Sequence, residues 1–70
     1  MNKEYMFGEW ILINEKRTNM PDFFEEVIVQ FQDGHICISF YSKVDKEIVL
    51  EKFHGKAVAW MPLPEPYQKK

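Results

Sequence analysis

Seventy residues with nine basic and eleven acidic side chains, a net charge of -2 and 46% hydrophobic content must bury a dense core to fold at all, since this length is near the lower limit for a domain without disulfides or metal. The composition excludes a disordered linker or acidic tail, and the single Cys37 excludes an internal disulfide. No charged start leads into a continuous apolar run, so neither secretion nor a membrane span is indicated. The expectation is one domain over residues 1–70 in a reducing cytoplasm, with an acidic balance that disfavours general nucleic-acid binding.

In chain order, residues 1–8 begin polar and then supply Tyr5, Met6 and Phe7, either a short strand or an apolar plug over the sheet at a flexible end. Residues 9–14 (EWILIN) read as a short strand, with Trp10 and Leu12 pointing one way and Ile11 and Ile13 the other, a pattern suited to a covered sheet. A polar connection follows to Pro21, which bars helix at Met20. Residues 22–26 (DFFEE) then suggest one helical turn capped by Asp22.

The strongest local signal spans residues 26–42. Two runs rich in β-branched and aromatic residues flank Asp33-Gly34, and Asp-Gly between such runs favours a two-residue hairpin turn. That loop pairs Phe31 with Ile36, Val29 with Ile38 and Val27 with Phe40 on one apolar face. Gln32/His35, Gln30/Cys37, Ile28/Ser39 and Glu26/Tyr41 fall on the other. Residues 43–46 (KVDK) read as a turn in which Asp45 accepts from backbone donors. Residues 47–53 (EIVLEKF) read as a third meander strand, with helix as the alternative, and Gly55-Lys56 turn the chain into a last strand at residues 57–60 (AVAW). Pro62, Pro64 and Pro66 lack donors, so residues 61–66 should leave the ladder as polyproline II before a frayed end at residues 67–70. Together these elements predict a mainly β fold of about five strands, a strongly bent antiparallel sheet closing toward an SH3-like barrel.

The ending Ala59-Trp60-Met61-Pro62-Leu63-Pro64-Glu65-Pro66 resembles the Trp-Met-Pro-Leu-Pro-Glu-Pro signature that closes the domain of unknown function 551 family, small proteins common in phages and prophages. Trp10-Ile11, Met20-Pro21 and Val27-Ile28-Val29 stand where that family has a Trp-Ile strand, a Leu-Pro turn and a Val-Leu-Val strand, so the resemblance covers residues 9–66. Here the connection before Pro21 is longer, Phe23-Phe24 replaces an acidic, Gly-containing turn, and Ala59 stands where His is frequent. The resemblance implies a phage-encoded protein in a host bacterial cytoplasm and carries no catalytic residues over.

Candidate chemistry is sparse. Asp33, His35, Cys37 and His54 could be drawn into a metal site, but structural zinc wants four well-placed ligands and this chain has one Cys, so two solvent-facing histidines and a half-buried thiol are expected instead. Cys37 sits mid-strand, with no evident helix N-terminus to activate it as a nucleophile. Glu25, Glu26, Glu47 and Glu51 read as solvated faces, and Gly8, Gly34 and Gly55 are too dispersed for a phosphate loop. No catalytic residue, metal or cofactor is therefore expected. The aromatic residues beyond core needs point to protein binding, with Phe23, Phe24, Tyr41, Trp60 and Tyr67 as partner contacts and Trp60 as a seal on the barrel end. The expected function is a non-enzymatic binder of a host or phage protein, in its sharpest form an inhibitor of a host defence system such as an anti-CRISPR. A small-molecule or nucleotide sponge and a nucleic-acid accessory module are the alternatives, and a homo-oligomer is left open.

Overall fold

The hairpin at the centre of the chain forms, but one residue out of the expected register. In the computed structural model, which describes residues 9–64, β2 (Val27–Phe31) and β3 (Ile36–Ser39) pair antiparallel with Ile28 opposite Ile38, Val29 opposite Cys37 and Gln30 opposite Ile36. Of the two turn residues only Gly34 has positive φ, at 91°, whereas a two-residue type I′ turn needs it at both. The chain instead makes a three-residue loop. Gly34 N–H donates to the Phe31 carbonyl and Phe31 N–H to the His35 carbonyl, both at 2.8 Å, the pattern of a type I turn followed by a glycine bulge. The Asp33 carboxylate stabilises this alternative by accepting the His35 N–H at 2.8 Å.

A one-residue slip exchanges the faces of a strand. Val27, Val29 and Phe31 remain inside, but their neighbours across β3 are Ser39 and Cys37, while Ile36 and Ile38 turn outward. The core consists of Val27, Val29, Phe31, Ile48 and Ala57, with Ile13, Met20, Cys37, Tyr41, Leu50 and Trp60 packed around it.

The last strand, β6 (Ala57–Pro62), lies between β2 and the two-residue β1 (Ile11–Leu12), giving the order β1-β6-β2-β3. Met61 and Pro62 thus continue the ladder rather than leaving it, with Val27 opposite Pro62 at the strand end, where a missing donor costs least. Gln30 pairs with Ala59 but Phe31 with Ala57, so Val58 is an extra residue, and this bulge places the two alanines on opposite faces. Beyond β3 the chain bends at Phe40 into a separate two-stranded ribbon, β4 (Tyr41–Ser42) with β5 (Glu47–Ile48). In its turn the Ser42 hydroxyl, not Asp45, accepts the backbone bond, from the Asp45 N–H at 3.3 Å.

The fold is therefore mainly β and antiparallel, with no closed barrel among the described residues: β1 and β3 remain edges. The only helical turn described, α1 (Glu51–His54), falls inside the stretch read as a third strand. Leu50, at φ 83°, breaks the extended chain there. Residues 22–26 hold a hydrogen-bonded turn, Glu25 N–H to the Asp22 carbonyl at 3.2 Å, and no helix. Residues 1–8 and 65–70, and with them what is expected of Tyr5, Phe7, Tyr67 and the two ends, lie outside the described residues.

Glu51 explains why the helical turn sits where it does. Expected on a solvated face, it is buried, and its carboxylate accepts the Ile48 N–H at 2.9 Å, the Ala57 N–H at 2.6 Å and both terminal nitrogens of Arg17 at 3.1 to 3.2 Å. One side chain thereby joins β5, β6 and the loop before Pro21. The chain's single arginine is spent on this pair, held from a left-handed position, φ 56°, in a loop closed by Asn14, Thr18 and Asn19.

Candidate protein-binding surface

Directly opposed residues of antiparallel strands project to the same side. On the side away from the core this rule gathers Leu12, Ala59, Met61, Ile28, Gln30, Ile38 and Ile36. Ala59 and Met61 form a buried floor. Leu12 stands at one margin, 73% exposed, and Ile36 and Ile38 stand at the other, 54% and 56% exposed. Trp10, two residues before Leu12, is also exposed. Phe40 follows two residues after Ile38, and the exposed Phe24 packs on it with ring centroids 5.9 Å apart. Phe24 is held in place by its N–H bond to the Tyr41 carbonyl at 2.9 Å and by a left-handed backbone, φ 66°.

The residues expected to contact a partner are thus divided by the fold. Phe23 and Phe24 are both exposed and flank the start of the β4 ribbon. Phe23 stacks on Tyr41 with centroids 4.8 Å apart, and Tyr41 packs inward on the core. Trp60 lies on the core side of β6, opposite Val29, and its indole N–H donates to the Asn19 carbonyl at 2.9 Å; it anchors the loop before Pro21 to the sheet rather than sealing a barrel. The two-residue turn assigned Ile36 and Ile38 to the core, and the apolar pattern of residues 9–14 placed Leu12 in a covered sheet, so none of the three stood out in the sequence.

The polar candidates do come together, in a form that serves the fold. His54 Nδ1 lies 2.8 Å from Asp33 Oδ2, and the His35 and His54 rings stack with centroids 4.0 Å apart and planes 5° from parallel. Lone pairs in two parallel ring planes do not converge on one ion, and among the described residues no group of three donors is placed to hold a metal. His35 is exposed while His54 is partly covered by Phe31, so only one of the two histidines faces solvent freely. The backbone bond from His35 holds the Asp33 carboxyl below its ordinary range, with the His54 side chain adding to the effect. Cys37 is half-buried against the core.

No family model, curated protein or solved structure matches this chain. Its surface must therefore be read on its own chemistry. A cleft of about 400 Å³ lies beside the Arg17–Glu51 pair, lined by Gln32, Lys46, Lys52 and Lys56 but also by Asp45 and Glu47. Arg17 is already occupied by Glu51 at 3.1 Å. Interleaved charges of both signs make a weak site for a phosphate, and the apolar outer face is the more distinctive feature.

Proposed function

We propose that this chain works by binding another protein through the outer face of its sheet, without catalysis. The observation that carries the reading is the alignment of Leu12, Ile38 and Ile36 on that face, extended past the end of β3 by Phe24 on Phe40. Scattered apolar residues on a surface need no explanation, but large apolar residues at both margins of one sheet face, with an aromatic pair beside them, have the composition of an interface. The ending at Trp60 to Pro66, which resembles that of a phage and prophage family, supports the sharper form of the proposal: the partner is a host or phage protein in a bacterial cytoplasm, and the action is inhibition of a defence system such as CRISPR interference. The cleft beside Arg17 supports the alternative of a small-molecule or nucleotide sponge less well, because its lysines share it with Asp45, Glu47 and the Arg17-bound Glu51.

Expression in a bacterium with active CRISPR interference, challenged with a targeted phage, tests this form. Wild-type protein should restore plaque formation, whereas Leu12→Lys and Phe24→Ala should lose the effect while remaining folded. Each substitution is expected to cost roughly 1 to 3 kcal/mol of binding and to leave the melting temperature almost unchanged. Full activity in both variants would remove the outer face from the account, and no protection by the wild type would reject the anti-CRISPR form.

A further inference from the structure

The edge of the sheet offers a second docking element beside the apolar face. Phe31 and His35 exchange a ladder bond, so by the alternation of antiparallel pairs Val29/Cys37 and Val27/Ser39 are the bonded pairs along the same ladder. The N–H and C=O groups of Ile36 and Ile38 therefore point away from β2, along the free side of β3. Among the described residues no strand pairs with Ile36 or Ile38 on this side, which is taken up only two residues further on, where the Val49 N–H bonds the Phe40 carbonyl at 3.0 Å. Natural edges are normally blunted by a charge, a proline, a bulge or extreme shortness. The opposite edge, β1, is two residues long. Within its four residues, Ile-Cys-Ile-Ser, β3 carries neither charge nor proline, and the glycine bulge lies before it in the loop.

We infer that β3 pairs with β3 of a second copy of this chain, antiparallel about a two-fold axis through Cys37, to form a continuous eight-stranded sheet. The sequence of the strand is what selects a second copy as the occupant. Ile-Cys-Ile is symmetric about Cys37, so this register sets Ile36 against Ile38 of the other copy twice over, and their outward backbone groups bond each other. The next pair outward is His35 with Ser39, and no like charges meet. A single two-fold contact of this kind closes on itself and does not propagate. It also brings the two outer faces side by side, so that apolar surface from both copies forms one broader face. The inference does not depend on the nature of any further partner.

Cys37 marks the register. It falls at a non-bonded position across the axis, where Cα atoms of antiparallel partners sit about 4.5 Å apart, within the span that a disulfide bridges. Sedimentation equilibrium of the full chain from micromolar to high micromolar concentration should show a monomer–dimer equilibrium. Ile38→Pro should weaken it roughly tenfold or more, because it deletes a donor used only between copies, an exchange edge strands tolerate. Circular dichroism confirms that the variant is folded, and Ile36→Lys with Ile38→Lys, which sets lysines opposite each other, serves as the second variant. Mild oxidation with diamide, which takes up the two thiol hydrogens, should link wild-type chains through Cys37. A monomer at every concentration overturns the inference, as does a dimer that both edge variants leave intact or one that diamide does not link. Leu12→Lys, on the far edge, should leave the dimer unchanged, so loss of self-association and loss of partner binding are separately read.

Discussion

Glu51→Ala is expected to lower the free energy of unfolding by roughly 3 to 5 kcal/mol, the cost of breaking a buried ion pair from one side. The substitution strands the Arg17 guanidinium, whose Nε already has no partner, and removes the acceptor of the Ile48 and Ala57 N–H groups. A domain of this size commands roughly 4 to 10 kcal/mol in total, so the variant should stand at the border of folding at ordinary temperature. Glu51→Gln, which keeps the shape and one carbonyl acceptor, should retain part of the lost stability. Urea titration followed by circular dichroism measures both. A loss below about 1 kcal/mol for the alanine variant would mean that the carboxylate is solvated after all.

The second large effect is a contrast between two positions. Phe31→Ala should cost roughly 3 to 5 kcal/mol and Ile36→Ala less than about 1 kcal/mol. Phe31 is 1% exposed at the centre of the core, whereas Ile36 is 54% exposed on the outer face. A two-residue turn would have placed them opposite each other on the same face, and then both truncations would leave cavities. Equal, large losses at the two positions would therefore restore that register and bury the proposed binding face.

These two positions show what was legible in the sequence. The strands around Asp33-Gly34, the mainly β class and the inward course of Val27, Val29 and Phe31 follow from alternation and turn chemistry. The register does not, because Asp-Gly serves both a two-residue turn and a three-residue turn with a glycine bulge. The choice rests on His35 and His54, which engage both oxygens of Asp33, one from the neighbouring backbone and one from across the fold. Tertiary contacts likewise decide residues 47–54. Their apolar alternation reads as strand, yet Glu51 turns inward to Arg17, 34 positions earlier, and the chain coils around that contact. The one hint was compositional, a single arginine in a small acidic chain. The proline-rich ending misled in the opposite way: Pro62 ends a strand without breaking it because it lies at the last ladder position. The exposure of the adjacent Phe23 and Phe24 follows from an aromatic excess over core needs, whereas that of Ile36 and Ile38 depended on the hairpin register and that of Leu12 on β1 being covered on one face only.

Whether Ile36 and Ile38 face solvent is thus the point on which the binding face and the edge pairing both turn. Cross-strand Hα–Hα contacts in a nuclear Overhauser spectrum of the wild-type protein measure it directly, since these protons approach most closely at non-bonded antiparallel pairs. The structure predicts strong contacts between Ile28 and Ile38 and between Gln30 and Ile36. Contacts between Val29 and Ile38, with Val27 opposite Phe40, would return the isoleucines to the core and contradict the account.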